Sequence, residues 1–238
     1  MLKRILIIVA LAIIIYFYNY TTTGEHYNHA IELEQQGKIE EAIAELDKAI
    51  KKTSDFRPAL LNRGAYKSEI GDTMGALEDY QKLLEVDPDN TFALFNMANS
   101  YSDLDKPKKA IEYYTKALET DGALKASSIN DGQALYIRTN FDLKRFDSDM
   151  DYDMPDYEIY FERGIEYLKD KQYDNAISDF NSCLELRHNE RDSNYYLGEA
   201  FIGMKDSLKA CIHYTKSEKL GDQDSKDKLK VYCLEKEY

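Results

Sequence analysis

The sequence of 238 residues contains no tryptophan, only three cysteines and only four prolines. So few cysteines exclude a small disulfide-rich scaffold, and their spacing matches no zinc-binding pattern. Eleven glycines and four prolines are also too few for a collagen-like or low-complexity chain. Basic residues are scarce as well, because 31 Lys and Arg face 44 Asp and Glu and leave a net charge of −13. This charge argues against nucleic acid as the main ligand, since binding to phosphates needs clustered Lys and Arg.

The sequence also lacks the short motifs that mark common catalytic and cofactor sites. It has no phosphate-binding loop, no GxGxxG motif and no HExxH motif, and no nucleophile–base arrangement stands out. His26 and His29 share one helix face, but no carboxylate motif accompanies them, and we interpret them as part of a solvated face. We therefore predict a non-enzymatic protein that uses no cofactor, no metal and no small-molecule substrate.

The first twenty residues contain the longest apolar run of the chain. Lys3 and Arg4 precede an uninterrupted apolar and aromatic run over residues 5–18, which is typical of a signal anchor or a signal peptide. We predict that residues 1–22 form a transmembrane signal anchor, which contacts the membrane through residues 5–20. The N-terminus would then be cytoplasmic and the rest of the chain extracytoplasmic. The alternative is a cleaved signal peptide and a secreted, soluble protein.

The remainder of the chain repeats with a regular period. Small residues stand at intervals of 34, 34, 66 and 34, at Ala30, Gly64, Ala98, Gly164 and Gly198. An alanine stands at the same distance after each of them, at Ala42, Ala76, Ala110, Ala176 and Ala210. A large side chain follows about one helical turn later, at Leu46, Tyr80, Tyr114, Phe180 and Tyr214. Small residues let two helices cross closely, and the large side chains fill the space beside the crossing.

These spacings resemble those of the tetratricopeptide repeat family, most clearly in residues 60–88 and 159–186. The resemblance implies an all-α solenoid of antiparallel helix hairpins, wound into a right-handed superhelix after one N-terminal hydrophobic helix. It assigns three repeats to residues 23–124, two repeats to residues 157–224 and a capping helix to residues 225–238. The first-helix tryptophan of the family is absent from every repeat.

Residues 125–156 break the period and form either a degenerate repeat or an acidic insertion. Residues 123–129 are predicted as a short helix at its beginning. Four acidic residues stand at positions 1, 3, 5 and 12 of a calcium-loop pattern, at Asp147, Asp149, Asp151 and Glu158. Tyr152 replaces the glycine that the pattern needs at its sixth position. We therefore interpret this stretch as a solvated acidic loop, with a calcium-responsive protein as the alternative.

Two arginines stand at equivalent repeat positions, and each is followed by an aspartate at the same spacing, which pairs Arg63 with Asp79 and Arg163 with Asp179. We predict that each pair is a structural ion pair between the two helices of one repeat.

The three cysteines are interpreted as small apolar packing residues. Cys183 and Cys211 fall at inward positions of second helices, and Cys233 lies in the predicted cap. In an exported protein the alternative is a disulfide between Cys211 and Cys233, which would join the last repeat to its cap.

The family resemblance implies that the first helices of the repeats line a concave groove. The predicted groove residues are Tyr27, Ile31, Leu61, Phe92, Phe95, Asn99, Phe161, Ile165, Tyr195 and Glu199. Such an apolar and aromatic groove on an acidic protein suits a peptide with apolar anchors and basic flanks. We therefore predict a membrane-tethered scaffold or adaptor that binds a protein or peptide partner. The alternative is that part of this stripe packs within the repeats.

Overall fold

The computed structural model describes residues 2–124 and 154–233. Eleven α-helices account for most of the described residues: α1 Leu2–Gln35, α2 Ile39–Lys52, α3 Arg57–Glu69, α4 Thr73–Val86, α5 Thr91–Asp103, α6 Pro107–Glu119, α7 Asp156–Lys169, α8 Tyr173–Glu185, α9 Glu190–Gly203, α10 Ser207–Lys219 and α11 Gln223–Tyr232. Two short strands, β1 Ala123–Leu124 and β2 Met154–Pro155, pair in parallel. The fold is therefore an all-helical solenoid, as the repeat pattern predicts.

The described residues fall into two compact units, residues 2–100 and residues 101–124 with 154–233. In the first unit, α2 packs on α1 and on α3, and α3 packs on α4. A core cluster of buried alanine, leucine and aromatic side chains joins α1, α2 and the start of α3. Leu60, Leu83 and Ala93 form a second cluster that joins α3, α4 and α5.

In the second unit, each helix from α6 to α11 packs on the next along the chain. Its core cluster contains Ala176 and Phe180 of α8 and Leu197 of α9, all with no measurable exposure. Helices that contact chiefly their neighbours are the hallmark of a quasi-one-dimensional repeat fold, in which each hairpin covers the apolar face of the next.

The glycines of the repeat pattern lie where two helices of a hairpin cross. A Cβ atom added to Gly64 would lie 2.5 Å from Cε1 of Tyr80, and one added to Gly164 would lie 2.8 Å from Cε1 of Phe180. Both rings are buried. The absence of a side chain on the first helix therefore makes room for the aromatic ring of the second helix.

The turns within the hairpins also follow the repeat period. One residue in each turn has a positive φ angle, at Gly37, Gly71, Asp105, Lys171 and Lys205. A residue in the left-handed region ends a helix because its amide can bond back to the last carbonyl groups. The next helix begins at once, and Asp72 caps α4 by accepting a hydrogen bond from the Gly75 amide at 3.0 Å.

Two sequence predictions need correction. Residues 123–124 form strand β1 rather than the start of a helix, because their backbone pairs with that of β2.

Large apolar side chains between Ile5 and Ile15 are 50–65% exposed on α1. Among the described residues, however, no helix combines the length and the apolar character needed to cross a membrane. The predicted membrane anchor is therefore not supported.

Candidate functional site

A buried ion-pair network joins three helices of the first unit. The guanidinium of Arg63 on α3 donates two hydrogen bonds to Asp79 on α4, and Nε reaches Oδ2 at 2.8 Å. It also donates to Asp47 on α2 at 2.6 Å, while Lys67 pairs with Asp79 at 2.8 Å. Asp79 is only 1% exposed. The arginine therefore fastens one hairpin to the preceding hairpin, in addition to joining its own two helices.

The second unit repeats this arrangement around Arg163 of α7. Its Nε and Nη2 atoms each donate to Asp179 of α8 at 2.8 Å, and its Nη1 donates to Thr115 of α6 at 3.1 Å. Burial raises the pKa of the Asp179 carboxyl, and the bonds from Arg163 oppose this shift. Each guanidinium thus forms a two-pronged pair with a buried carboxylate of its own repeat, which is the geometry expected of a structural ion pair.

The first hairpin carries an equivalent pair that the sequence analysis missed. Glu45 accepts a hydrogen bond from Nδ1 of His26 at 2.7 Å and lies 3.6 Å from Nδ1 of His29. Its carboxylate is also bound by Lys48, which together with His26 lowers its pKa. Glu45 stands one repeat period before Asp79, and His29 stands one period before Arg63. The repeat alignment points to Glu45, although the histidine that bonds to it is His26. The interpretation as a solvated face is therefore wrong for His26, while His29 is 55% exposed.

The predicted groove residues of the first unit differ in their exposure. Tyr27 is only 4% exposed and packs edge-on against Phe56 at a centroid distance of 5.6 Å. Its hydroxyl accepts a hydrogen bond from Asn62 at 2.7 Å. Tyr27 therefore belongs to the core, which corrects its place in the groove. The other predicted members are half-buried and reach the surface of the first helices at Ile31, Leu61, Phe92, Phe95 and Asn99.

The predicted groove residues of the second unit form an aromatic surface on α7 and α9. Phe161 lies 5.8 Å from Tyr196 and 5.9 Å from Phe180, in both cases edge-on. Tyr195 contacts Tyr196 at 5.3 Å. Phe161, Ile165, Tyr195 and Tyr196 are all half-buried. Each of these side chains is thus packed partly against its neighbours and remains partly exposed.

Glu199, the last predicted groove residue, is already engaged within the protein. It accepts a hydrogen bond from the Tyr214 hydroxyl at 2.5 Å and pairs with Lys228 of α11 at 2.6 Å. The Lys228 ammonium also lies 5.9 Å from the centroid of the Tyr195 ring. The end of the aromatic surface is therefore closed by the capping helix.

A disulfide between Cys211 and Cys233 ties α10 to the end of α11, with a Cα–Cα distance of 5.9 Å. The packing interpretation is therefore wrong for this pair, and the alternative of a covalent link to the cap is correct. Cys183 is buried and not part of a disulfide. Burial, with a smaller contribution from Asp179, raises the pKa of its thiol to about 12. The thiol therefore stays protonated and unreactive.

The calcium pattern falls largely outside the described residues, which include Glu158 but not Asp147, Asp149 or Asp151. Glu158 lies 3.4 Å from Nε2 of His188, whose ring stacks on Tyr157 at 3.7 Å. Within residues 2–124 and 154–233, no group of three or more His, Cys, Asp or Glu side chains is arranged to hold a metal ion.

The fold and these surfaces define a helical repeat protein with partly exposed first-helix faces. Family profiles described as tetratricopeptide repeat match residues 26–51, 92–122 and 157–189. These three segments therefore match tetratricopeptide repeats, as their spacing predicts. No curated protein sequence matches the chain.

Solved structures with a similar fold include a tetratricopeptide repeat protein, YrrB, described as having an unusual peptide-binding site. It has a TM-score of 0.66 and 19% identity, and the match covers 87% of this chain and 90% of YrrB. MamA residues 41 to the end, from Desulfovibrio magneticus RS-1, have a TM-score of 0.65 and 16% identity, with 85% and 98% covered. Another crystal structure of MamA protein also scores 0.65 at 16% identity, with 90% and 96% covered. At these identities the likeness establishes the fold alone.

Proposed function

We propose that this protein is a non-enzymatic scaffold whose first-helix faces bind a peptide or protein partner. Tetratricopeptide repeats generally act as scaffolds of this kind, and YrrB is described as a peptide-binding member. The partner contacts the half-buried apolar and aromatic side chains of α3 and α5 in the first unit and of α7 and α9 in the second.

The observation that carries this proposal is the aromatic surface of α7 and α9. Phe161, Tyr195 and Tyr196 are held by contacts with one another and by the buried ring of Phe180. Rings fixed in this way lose little side-chain entropy on binding, so their apolar area contributes efficiently to affinity. Tyrosine and phenylalanine are also enriched among the residues that form the cores of interfaces.

Affinity capture with the full chain tests the proposal. The variant Leu61→Ala/Phe95→Ala removes two half-buried first-helix side chains, and Tyr195→Ala removes one ring of the aromatic surface. The matched control is Leu208→Ala, which removes a side chain that is 76% exposed on the second helix α10. We expect bound proteins to be lost from the first-helix variants and retained by the control. Equal retention by all of these chains would refute the proposal.

We also propose that the repeats work outside the cytoplasm, which is the localisation predicted from the sequence. The disulfide between Cys211 and Cys233 supports this, because disulfides persist in oxidising compartments and are reduced in most cytosols. Alkylation of free thiols in unfolded protein from cell fractions tests it. We expect one alkylated cysteine per chain, Cys183, in an extracytoplasmic fraction. Three alkylated cysteines per chain in a cytosolic fraction would contradict the proposal.

A further inference from the structure

One face of α7 carries three glutamates, each about one helical turn from the next, at Glu158, Glu162 and Glu166. Side chains spaced in this way are neighbours on a helix, and like charges at this spacing repel one another. Glu158 lies 3.4 Å from Nε2 of His188. Among the described residues no Lys, Arg or His forms an ion pair with Glu162. The face therefore has more negative charge than its own cations neutralise.

Glu166 is the unusual member of this set because it is almost completely buried. The residue is 2% exposed, and its Oε1 accepts hydrogen bonds from Ser102 at 2.7 Å and from Lys169 at 2.5 Å. Its Oε2 is buried and accepts no hydrogen bond from the described residues. A buried carboxylate oxygen without a donor costs free energy, and an incoming donor would recover it.

Glu162 lies beside Glu166 and shares its surroundings. Both carboxylates raise the pKa of the Tyr114 hydroxyl beyond the effect of burial alone, so both act on the same ring of α6. Burial raises the pKa of Glu162, and the charges of Glu158 and Glu166 add to this shift while Lys169 opposes it. Burial raises the pKa of Tyr196, and the charge of Glu162 adds to that shift. Glu162 therefore acts on rings of both α6 and α9, and Glu166 acts on the ring of α6.

We propose that Glu162 and Glu166 form a subsite for a basic side chain, arginine or lysine, of the bound peptide. This inference rests on the scaffold function proposed above and adds the chemistry of one anchor. The partner's cation enters beside Glu162 and replaces the Lys169 ammonium at the carboxylate of Glu166. Phe161, the residue before Glu162 on α7, and Tyr196 are half-buried aromatic side chains of the kind on which a guanidinium packs.

The partner's cation would displace the ammonium of Lys169 from the Glu166 carboxylate. Its ammonium bonds to Glu166 and Ser102, yet its side chain is 42% exposed and can extend into solvent. The resident lysine therefore competes with the partner's cation for one buried carboxylate. Removal of Lys169 should consequently strengthen binding of a basic peptide, an effect that a purely structural role of Glu166 does not predict.

The test uses a display library of random twelve-residue peptides, selected in parallel against full chains. The chains are the wild type, E162Q/E166Q, K169M and the control E119Q/E185Q, which makes the same charge change at exposed positions of α6 and α8. Circular dichroism melting first establishes that each chain is folded. We expect arginine or lysine to be enriched at one position for the wild type and for the control, but not for E162Q/E166Q.

A selected peptide is then synthesised with that basic residue and with citrulline, or acetyl-lysine, in its place. We expect the neutral substitute to weaken binding about tenfold or more for the wild type and less than about threefold for E162Q/E166Q. The K169M chain should bind the basic peptide several-fold more tightly. Equal losses for the wild type and E162Q/E166Q, or no enrichment of basic residues, would overturn this inference alone. Recovery of no peptide by any chain would refute the scaffold function, and this subsite with it.

Discussion

Substitution of Gly64 by alanine tests whether the close approach of α3 and α4 constrains the fold. Alanine favours a helix over glycine by about 0.8–1 kcal/mol. At Gly64, however, the new Cβ would lie 2.5 Å from Cε1 of Tyr80, and two further ring atoms lie within 3.0 Å. Tyr80 is 2% exposed and cannot turn away into solvent. Overpacking of a core costs about 1–3 kcal/mol.

The helix preference offsets part of this cost, so Gly64→Ala should lower the free energy of unfolding by up to about 2 kcal/mol. Gly24 supplies the matched control, because it lies within α1 and an added Cβ meets nothing within 4 Å. Gly24→Ala should therefore raise the free energy of unfolding by about 0.5–1 kcal/mol. The first hairpin holds Ala30 and Leu46 at the positions of Gly64 and Tyr80. The double variant Gly64→Ala/Tyr80→Leu should accordingly recover part of the loss.

Urea unfolding followed by far-UV circular dichroism measures all of these free energies under the same conditions. Gly24 and Gly64 both lie in the first unit, so both report on the same folded body. If Gly64→Ala stabilises the chain as much as Gly24→Ala does, the crossing tolerates a methyl group. The explanation of the glycine pattern by helix contact would then be wrong.

Three further predictions concern charge, pH and the cap. Arg63→Met leaves the carboxylate of Asp79 buried beside a single lysine, and urea unfolding should show a loss of about 3 kcal/mol. Burial, aided by the charge of a nearby lysine, lowers the pKa of His213 to about 4. The unfolded chain therefore binds a proton between about pH 6.5 and 4 that the folded chain does not, and stability falls as the pH falls through this window. The loss of stability across this pH window that His213 causes is roughly 2 kcal/mol after allowance for its partial exposure, and it should be absent from His213→Gln. Cys211→Ser/Cys233→Ser opens a covalent link between residues 22 apart and should lower stability by up to about 3 kcal/mol, with the largest loss of hydrogen-exchange protection in the final helix.

Each of these predictions has a distinct contrary result. Full stability of Arg63→Met would mean that water or another side chain compensates the buried aspartate. An unchanged pH profile in His213→Gln would assign the acid sensitivity to carboxylates instead. Equal stability with and without the cysteines would show that the final helix docks through packing alone.

Much of the fold could be predicted because a repeat places the same physical requirement at the same position of every hairpin. The small residue of the first helix and the large side chain of the second identify two helices and their crossing. The pairing of Arg63 with Asp79 also follows from the repeat, because two charges at matched positions recur in another hairpin. The bond between His26 and Glu45 does not follow in the same way, because His26 is not at the repeat position of Arg63.

Contacts between successive hairpins could not be predicted in this way. The reach of Arg63 to Asp47, and the bonds of Glu166 to Ser102, join residues whose proximity depends on how far one hairpin is displaced along the next. The burial of Tyr27 is decided likewise, because Phe56 and Asn62 of the following hairpin cover its ring and its hydroxyl. The sequence pattern within one hairpin does not determine the distances between side chains of successive hairpins.

The sequence by itself determined the repeat helices and their pairing into hairpins, because periodic apolar packing within a hairpin is a local requirement. The tertiary structure alone decided which cysteines join and which carboxylates are buried. It also decided which aromatic rings keep one face at the surface. These properties depend on neighbours distant along the chain, since burial and pairing are set by the volume that the adjacent hairpin occupies.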